Sequence, residues 1–384
     1  MQRRRPPNLR LESMRRAAGQ VHRPASWVRL REHAMNGPET YSETDADTDA
    51  TDAGVGAPAD ARSLSVACVV PVFNRPRSVI EALESIAKQS TPPAVLVVVD
   101  DGSTDDTAAV VASWIADRQA SFATQLVRQD NAGAGAARNR GVREADAIVR
   151  AAARGGRAGR GVDLLAFLDS DDLWPADYLA RTVAAMAASA DAVAVTTDRD
   201  DIDMQTGKVE KHRLTRLSGT ATKTLAEDGA PWTSNTVLRR QVFDDIGGYD
   251  VTMPTSEDWQ LMLRMSLRGR WLHAGGSPVQ YRLAMHAATG DSPNLIRKYS
   301  DTRLRAAEIV QRFLLDEGGR DVLEPAVWRQ VLARRWYGAG RQMQRAGRST
   351  EARRCYRQAA RWGRFSPRVW WRLLTLWPGG SAVE

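Results

Sequence analysis

The chain has 384 residues, 43% of them hydrophobic, and a formal net charge of +8, so it can fold as one large or two modest domains with a hydrophobic core. Its two cysteines, Cys68 and Cys355, lie far apart, which excludes a disulfide framework or a cysteine-rich metal site and favours a reducing compartment. No run of 18 apolar residues predicts a membrane-spanning helix, and without zinc-finger spacing or the aromatic motifs of RNA-binding domains no nucleic-acid partner is expected.

The composition of residues 1–62 predicts disorder. Residues 1–31 are dense in Arg, and residues 39–60 carry seven acids and no base. Neither part can bury much apolar surface. The alternative is an electrostatic tail for a partner or a membrane. No apolar signal core follows the N-terminal Arg residues, so we expect a cytoplasmic protein rather than a secreted one.

Apolar runs alternate with segments of helical periodicity between residues 65 and 197. We predict strands at 66–70, 95–99, 122–127, 164–168 and 192–197. We predict helices at 77–89, 107–116 and 178–189, and another that runs from the Gly/Ala-rich loop 131–141 to about 152. Strands that are apolar on both faces and alternate with helices are typical of a parallel sheet covered by helices on both sides.

The pattern is less regular beyond residue 197. Residues 198–229 are polar and poorly periodic, and we expect them to form loops. The following segments predict a strand at 233–238, a short helix at 242–246, a helix that opens at 256–258, and one or two strands within 271–281.

Residues 300–384 are helical in pattern, basic and rich in Trp. One helix pair has the spacing of a tetratricopeptide-like unit, carried by Trp336, Gly340, Gly347, Ala352, Tyr356 and Ala359. Because one unit is too few for an independent solenoid, we predict a helical appendage and divide the chain into 1–62, 63–295 and 296–384. The Arg and Trp residues between 361 and 377 leave two interpretations open, contact with a membrane surface or packing of terminal helices.

A cluster of acids follows the apolar run 164–168: Asp169, Asp171 and Asp172. A strand that ends in acids presents them at the edge where open α/β sheets bind ligands. Carboxylates this close repel one another, which raises their pKa values, and a cation would relieve the repulsion. Hard oxygen ligands favour Mg²⁺ or Mn²⁺. The alternative is a solvated turn whose acids cap a helix.

Six separated segments together resemble the inverting family 2 glycosyltransferases with the GT-A fold. They are Val69–Asn74 (VVPVFN), Val98–Asp105 (VVDDGSTD), Asn131–Gly133 with Ala137–Gly141 (NAG, ARNRG), Phe167–Asp172 (FLDSDD), Ile246–Asp250 (IGGYD) and Ser256–Trp259 (SEDW). The resemblance covers about residues 64–290. It implies a Rossmann-like, mostly parallel sheet flanked by helices.

The resemblance also implies a role for each matching residue. It places Pro71, Asn74, Arg138 and Asn139 at the nucleotide, and it makes Asp101, with Asp100 beside it, the acid that meets the edge of the base. It implies that Asp169 contacts the ribose or the donor sugar, that Asp171 ligates the metal, and that Asp172 is an additional donor contact. Asp258 matches the catalytic base, and Glu257 would orient an acceptor or a backbone group. His286, which follows Tyr281-Arg282 at a longer gap than is usual in the family, would approach the metal or the diphosphate.

The implied activity is metal-dependent transfer of a sugar, with inversion, from a nucleotide-sugar, most simply a UDP-sugar. The acceptor would be a hydroxyl of a glycan or a lipid-linked molecule in the synthesis of cell-surface polysaccharide or glycoconjugate. Two alternatives are a nucleotidyltransferase and a catalytically silent nucleotide-sugar-binding scaffold. The VVPVFN segment argues against a nucleotidyltransferase, because it is not a Gly-rich nucleotide loop.

Overall fold

The structure, a computed structural model, describes residues 64–118, 121–152, 161–229, 233–283, 301–363 and 366–376. The predicted disordered segment 1–62 and the predicted boundary between 295 and 296 lie outside these residues. All the described residues belong to one unit, Asp60–Glu384. Within them, no helix has the length and apolar content needed to cross a membrane.

A seven-stranded sheet lies at the centre of the fold, with the strand order β3-β2-β1-β4-β8-β5-β9. Its strands are β1 (Val66–Val72), β2 (Val95–Asp100), β3 (Ala123–Arg128), β4 (Leu164–Phe167), β5 (Ala192–Thr196), β8 (Thr236–Arg239) and β9 (Arg270–His273). Strand β8 runs antiparallel to β4 and β5, and the other neighbours are parallel. The predicted α/β fold with a mostly parallel sheet is therefore confirmed.

Seven α-helices are described in the first two thirds of the chain, of which α3 is the longest, with 19 residues. They are α1 (Ser78–Ala87), α2 (Thr107–Asp117), α3 (Ala134–Ala152), α4 (Tyr178–Ala187), α5 (Thr222–Asp228), α6 (Arg240–Asp245) and α7 (Glu257–Ser266).

Two hydrophobic clusters cover the two faces of the sheet. Successive side chains of β1 point to opposite faces, so that Cys68 and Val70 join the cluster with α1, α2 and α4, and Ala67 and Val69 join the cluster with α3 and α7. The apolar side chains of β1, β2 and β4 are fully or almost fully buried. Burial on both faces explains why these strands are apolar without alternation.

The prediction of loops at 198–229 is wrong. This segment contains β6 (Arg199–Asp203), β7 (Val209–His212), a 3-10 turn at Thr215–Leu217, and α5. Strand β6 pairs with β7 and, in parallel, with β10 (Val279–Leu283), which lies some 80 residues away, to form a second, three-stranded sheet. Arg199 and Asp201 form an ion pair at 2.8 Å, and the backbone ladders to β7 and β10 hold β6 in place, so these strands form without an apolar pattern.

The described C-terminal residues are helical. They form α8 (Thr302–Asp316), a 3-10 turn at Gly319–Asp321, α9 (Pro325–Arg345), α10 (Ser349–Trp362) and α11 (Pro367–Thr375). Gly340 of α9 faces the ring of Tyr356 of α10, and a Cβ at Gly340 would overlap that ring. The close approach of these two helices therefore depends on a glycine. The apolar side of α8 to α11 joins the hydrophobic cluster that contains α7.

Candidate active site

The carboxyl end of β2 carries Asp100 and Asp101, and both are buried. Asp100 accepts the Ser103 backbone N–H at 3.0 Å and pairs with Arg128 at 2.9 Å. Asp101 accepts the backbone N–H groups of Ala132 and Gly133 at 2.9 and 2.8 Å. The two acids therefore fix the turn after β2 and join it to the loop before α3.

The segment after β1 lies against the same turn. Pro71 is buried within the strand, and Asn74 adopts a left-handed conformation with φ of 50°. Its side-chain Oδ1 accepts the Thr104 N–H at 2.8 Å, and its own N–H donates to Ser103 Oγ at 2.9 Å. An Asn in this conformation costs less than most residues, since it is among the side chains that tolerate it best. The structure thus brings Pro71, Asn74, Asp100 and Asp101 to one edge of the sheet.

The acid cluster after β4 lies at the same edge of the sheet. Asp171 is paired with Arg75, which follows Asn74. Asp172 is fully buried and accepts a hydrogen bond from Ser234 Oγ at 2.5 Å. Burial, followed by the charges of Asp171 and Asp169, raises the pKa of Asp172 well above its ordinary value.

Arg138 links this cluster to the start of α7. Its guanidinium is 2.6 Å from Asp169 and 2.7 Å from Glu257, and it lies over the Tyr249 ring at 5.2 Å. Burial opposes its charge, but the nearby Asp169, Tyr249 and Glu257 outweigh burial, so the pKa of Arg138 is raised well above its usual value. A charged, buried group thus connects Asp169 to the segment with the predicted base.

Asp258 lies in the first turn of α7, beside Glu257. Ser256 precedes the helix in the left-handed region, with φ of 61°. Burial first, and the adjacent Glu257 second, raise the pKa of Asp258 to about 7, although Arg138 lowers it and Asp169 adds a smaller rise. A carboxylate with a pKa near neutrality is suited to take up and release a proton at physiological pH.

The side-chain amide of Asn139 forms two hydrogen bonds with the backbone of Tyr249. Its Nδ2 donates to the Tyr249 carbonyl at 2.9 Å, and its Oδ1 accepts the Tyr249 N–H at 3.0 Å. Both ends of the amide thus hold the turn 247–249 against α3.

The oxygen donor set of the acid cluster fits a divalent cation. Among the residues that the structure describes, no group of three or more His, Cys, Asp or Glu side chains forms a ready-made metal site. Mg²⁺, however, usually takes only one or two protein carboxylates and completes its shell with water and substrate phosphates. Asp171 and Asp169 would supply these. Burial first, and the charges of these two acids second, raise the pKa of Asp172, and a cation would relieve the second of these causes. His286, the other predicted ligand, lies outside the described residues.

Three residues at this edge were not predicted from the sequence. Ser234 donates to Asp172 and accepts the Asp169 backbone N–H at 3.1 Å. Arg75 pairs with Asp171, and Arg282 donates to the Asp171 carbonyl and to Glu81. The Tyr281-Arg282 pair was a visible signal for one of them. Ser234 and Arg75 have no comparable signal, since only the fold brings them to the acids.

Two family models match the chain. The model described as glycosyl transferase family 2 matches residues 67–247, and the model described as glycosyl transferase family group 2 matches residues 164–381, more than half of the chain. The chain belongs to the family 2 glycosyltransferases. This is the family that the six sequence segments predict.

Curated relatives of this glycosyltransferase match over part of their length. An uncharacterized glycosyltransferase of Nostoc sp. is 28% identical over 189 residues, which are 48% of this chain and 53% of that protein. An uncharacterized glycosyltransferase of Rickettsia felis is 33% identical over 114 residues, 30% of this chain and 16% of that protein. The match thus spans about half of the first relative and less than a fifth of the second.

Solved structures show that the glycosyltransferase has the GT-A fold. It is similar to S. aureus TarS 1-349 in complex with UDP, with a TM-score of 0.54 and 17% identity, over 80% of this chain and 82% of that one. It is also similar to the mannosyltransferase PcManGT from Pyrobaculum calidifontis in complex with GDP-Man and Mn²⁺, with a TM-score of 0.50 and 19% identity, over 81% and 78% of the two chains. At these identities the likeness concerns the fold.

Proposed function

We propose that this glycosyltransferase transfers a sugar from a nucleotide-sugar, a UDP-sugar in the first instance, to an acceptor hydroxyl with inversion of the anomeric centre. The observation that carries the proposal is the position of Asp258 at the start of α7. There, Glu257 and Arg138 connect it to Asp169 at the end of β4, and its pKa is raised to about 7.

Asp258 is the better candidate for the base than its neighbour. Glu257 is held by Arg138 at 2.7 Å, so its carboxylate is already committed to a buried ion pair. Asp258 would accept the proton of the acceptor hydroxyl as that oxygen attacks the sugar. One base and no enzyme nucleophile lead to inversion, by the same stereochemical logic as in inverting glycosidases.

The donor would lie along the carboxyl ends of β1, β2 and β4. Asp101 and Asn74 would face the nucleoside, and Asp169 the ribose or the sugar. Asp171, with Asp169, would hold Mg²⁺ or Mn²⁺, which when bound offsets negative charge on the leaving diphosphate. TarS is solved with UDP and with UDP-GlcNAc, which supports a UDP-sugar, and PcManGT with GDP-Man and Mn²⁺ supports a divalent ion.

The pH dependence of transfer should follow the titration of Asp258. The base works only when deprotonated, so kcat/KM should fall about tenfold per pH unit below pH 7 and level off above it. Glu257→Gln removes the neighbouring charge that raises this pKa, so we expect the acidic limb of the profile to move to lower pH. Initial rates at saturating metal across pH 5 to 9 would show this. If the acidic limb of the pH profile stayed at the same pH in Glu257→Gln, Asp258 would not be the titrating group.

The acceptor would be a hydroxyl of a glycan or a lipid-linked molecule, in cell-surface polysaccharide or glycoconjugate synthesis, with the enzyme at the inner face of the membrane. Helix α11 supports the membrane contact. Val369 packs this helix onto the protein, whereas Trp370, Trp371 and Leu374 on its other side are 51, 64 and 70% exposed. Residues 325–376 contain 13 Arg and a single acid, Glu351, so this part of the chain carries a large positive charge, which favours anionic headgroups.

Vesicle co-sedimentation tests the membrane contact. The protein should bind vesicles of phosphatidylcholine mixed with phosphatidylglycerol and not vesicles of phosphatidylcholine alone. The double change Trp370→Ser and Trp371→Ser should weaken binding by about tenfold, since interfacial insertion of two indole rings contributes more than about 1.4 kcal/mol. Val322→Ser, at an apolar side chain that is also half exposed, is the control and should bind like wild type. Equal binding to both kinds of vesicle would contradict an electrostatic contribution to membrane binding.

A donor panel tests the proposed function as a whole. The purified chain would be titrated with UDP-, GDP- and dTDP-sugars, with and without Mn²⁺, and the released nucleoside diphosphate would be measured. We expect one nucleotide class to bind and turn over in a metal-dependent way. Binding without turnover across the panel and a range of glycan acceptors would support a silent scaffold instead.

A further inference from the structure

The C-terminal helices contact the helix of the predicted base directly. Trp259 immediately follows Asp258 and is 8% exposed. Arg335 of α9 lies over its indole ring, with the guanidinium carbon 4.7 Å from the ring centroid. A cation this close to a buried indole face is a favourable contact that depends on the planar guanidinium of Arg.

The same two side chains hold the last turns of α5. Trp259 Nε1 donates to the Leu225 carbonyl at 2.9 Å. Arg335 Nε and Nη2 donate to the Ala226 carbonyl at 3.1 and 2.9 Å. The Leu225 carbonyl also accepts the Gly229 N–H at 3.2 Å. The Ala226 carbonyl lies in the last turn, where carbonyls lack partners within the helix and where the helix dipole favours a cation. Helices α5, α7 and α9 are thus joined at one point beside Asp258.

Arg335 is largely buried, whereas its neighbour Arg334 is not. Burial first, and the charge of Arg334 second, lower the pKa of Arg335 to about 10, so it stays charged at neutral pH in a partly dry site. Arg334 is exposed. The chain therefore offers two adjacent arginines on one helix, of which only Arg335 has a described contact with Trp259.

The start of α7 requires such support. Ser256, directly before it, adopts a left-handed conformation that is unfavourable for a residue with a Cβ. On its other side, α7 is held by Gln260, which donates to Glu317 at 3.3 Å, while Arg312 pairs with Glu317 and with Asp250 at 2.8 and 2.9 Å. A strained residue persists only where its surroundings fix it, and here α7 is held by Arg138 of α3, by Glu317 after α8 and by Arg335 of α9.

We infer that Arg335 is a positioning residue for Asp258. Through Trp259 it fixes the first turn of α7, so that the C-terminal helical region completes the catalytic site although it contributes no group that meets the substrate. The inference rests on the proposed function, which makes Asp258 the base. A displacement of about 1 Å at a reacting group can cost about 10²-fold in rate.

The experiment compares Arg335→Met, Arg335→Lys and the control Arg334→Met in the full chain. Arg335→Met should lower kcat by about 10- to 100-fold with saturating donor, with the dissociation constant for the nucleotide within about twofold of wild type. Hydrogen exchange of the segment 257–266 should become faster. Arg335→Lys keeps the cation but loses the planar fork, so it should give an intermediate kcat, and Arg334→Met should match wild type.

Several outcomes would overturn the positioning role of Arg335. Wild-type kcat in Arg335→Met, or a fall in kcat with no faster exchange in 257–266, would overturn the positioning role. Parallel losses in kcat and nucleotide affinity, with faster exchange throughout the chain, would show general destabilisation and would also overturn it. If wild type turns over no donor in the panel, the proposed function fails, and the exchange of 257–266 in the two Met variants then decides alone whether Arg335 fixes α7.

Discussion

Replacing Asp258 with Asn is expected to abolish sugar transfer while nucleotide-sugar binding stays close to that of wild type. The amide has nearly the same size and can still accept the Trp259 N–H, which the Asp258 carboxylate accepts at 2.7 Å, so the start of α7 should keep its shape. It cannot accept the proton of the attacking hydroxyl. General bases contribute about 10²- to 10⁴-fold, and the loss in kcat should be at least of that order.

Initial-rate kinetics together with calorimetry of nucleotide binding would check this result. Asp191→Asn is a suitable control, because Asp191 is an exposed acid whose contact with Arg270 lies at the surface. Removing the burial cost of a charged group should also leave the variant at least as stable as wild type at neutral pH. Turnover at the wild-type rate would show that another group takes the proton.

Replacing Asp171 with Ala is expected to remove most of the metal-dependent part of nucleotide binding. Asp171 lies beyond the end of β4 beside Asp172, whose pKa is raised first by burial and then by the charges of Asp171 and Asp169, so Asp171 is the carboxylate that we expect a cation to meet at this edge. A contact to a charged group is worth about 1.5–3 kcal/mol, which corresponds to a loss of about 10- to 100-fold in affinity. The weak binding without metal should change little.

Calorimetry of UDP and GDP binding, with and without Mn²⁺, would separate the metal-dependent part of nucleotide binding from the metal-independent part. Asp177→Ala, at an exposed acid before α4, is the matched control and should leave both parts unchanged. Arg75→Gln adds a second comparison, because Arg75 pairs with Asp171 and competes with a cation for it. That variant should bind Mn²⁺ alone more tightly. An Asp171→Ala protein with unchanged metal dependence would remove Asp171 from the metal site.

The central sheet was predictable because most of its strands are runs of apolar residues in the sequence. Strands β1, β2 and β4 are buried on both faces, Pro92 and Pro93 precede β2, and acids lie at or just beyond the ends of β2 and β4. Strands β6 and β7 were missed because their residues are polar. Arg199 and Asp201 form strand structure through ladders to β7 and to the distant β10, together with ion pairs between neighbours. No local pattern in the sequence encodes such pairing.

The candidate site was predictable where residues sit at strand ends. Asp100, Asp101, Asp169, Asp171 and Asp172 follow apolar runs, so their position at one edge follows from the topology of a parallel sheet. The partners that complete the site could not be predicted from spacing. Arg138 reaches both Asp169 and Glu257, and the latter lies 119 residues further along the chain.

The anomeric configuration of the sugar released from the donor tests the central claim most directly. Proton NMR can follow metal-dependent hydrolysis of the preferred nucleotide-sugar, with water as the acceptor, and can record the first-formed anomer before it equilibrates. An inverting enzyme with Asp258 as its base should release the anomer opposite to that of the donor, and Asp258→Asn should release almost none. Release of the same anomer as the donor, or undiminished hydrolysis by the variant, would contradict the account.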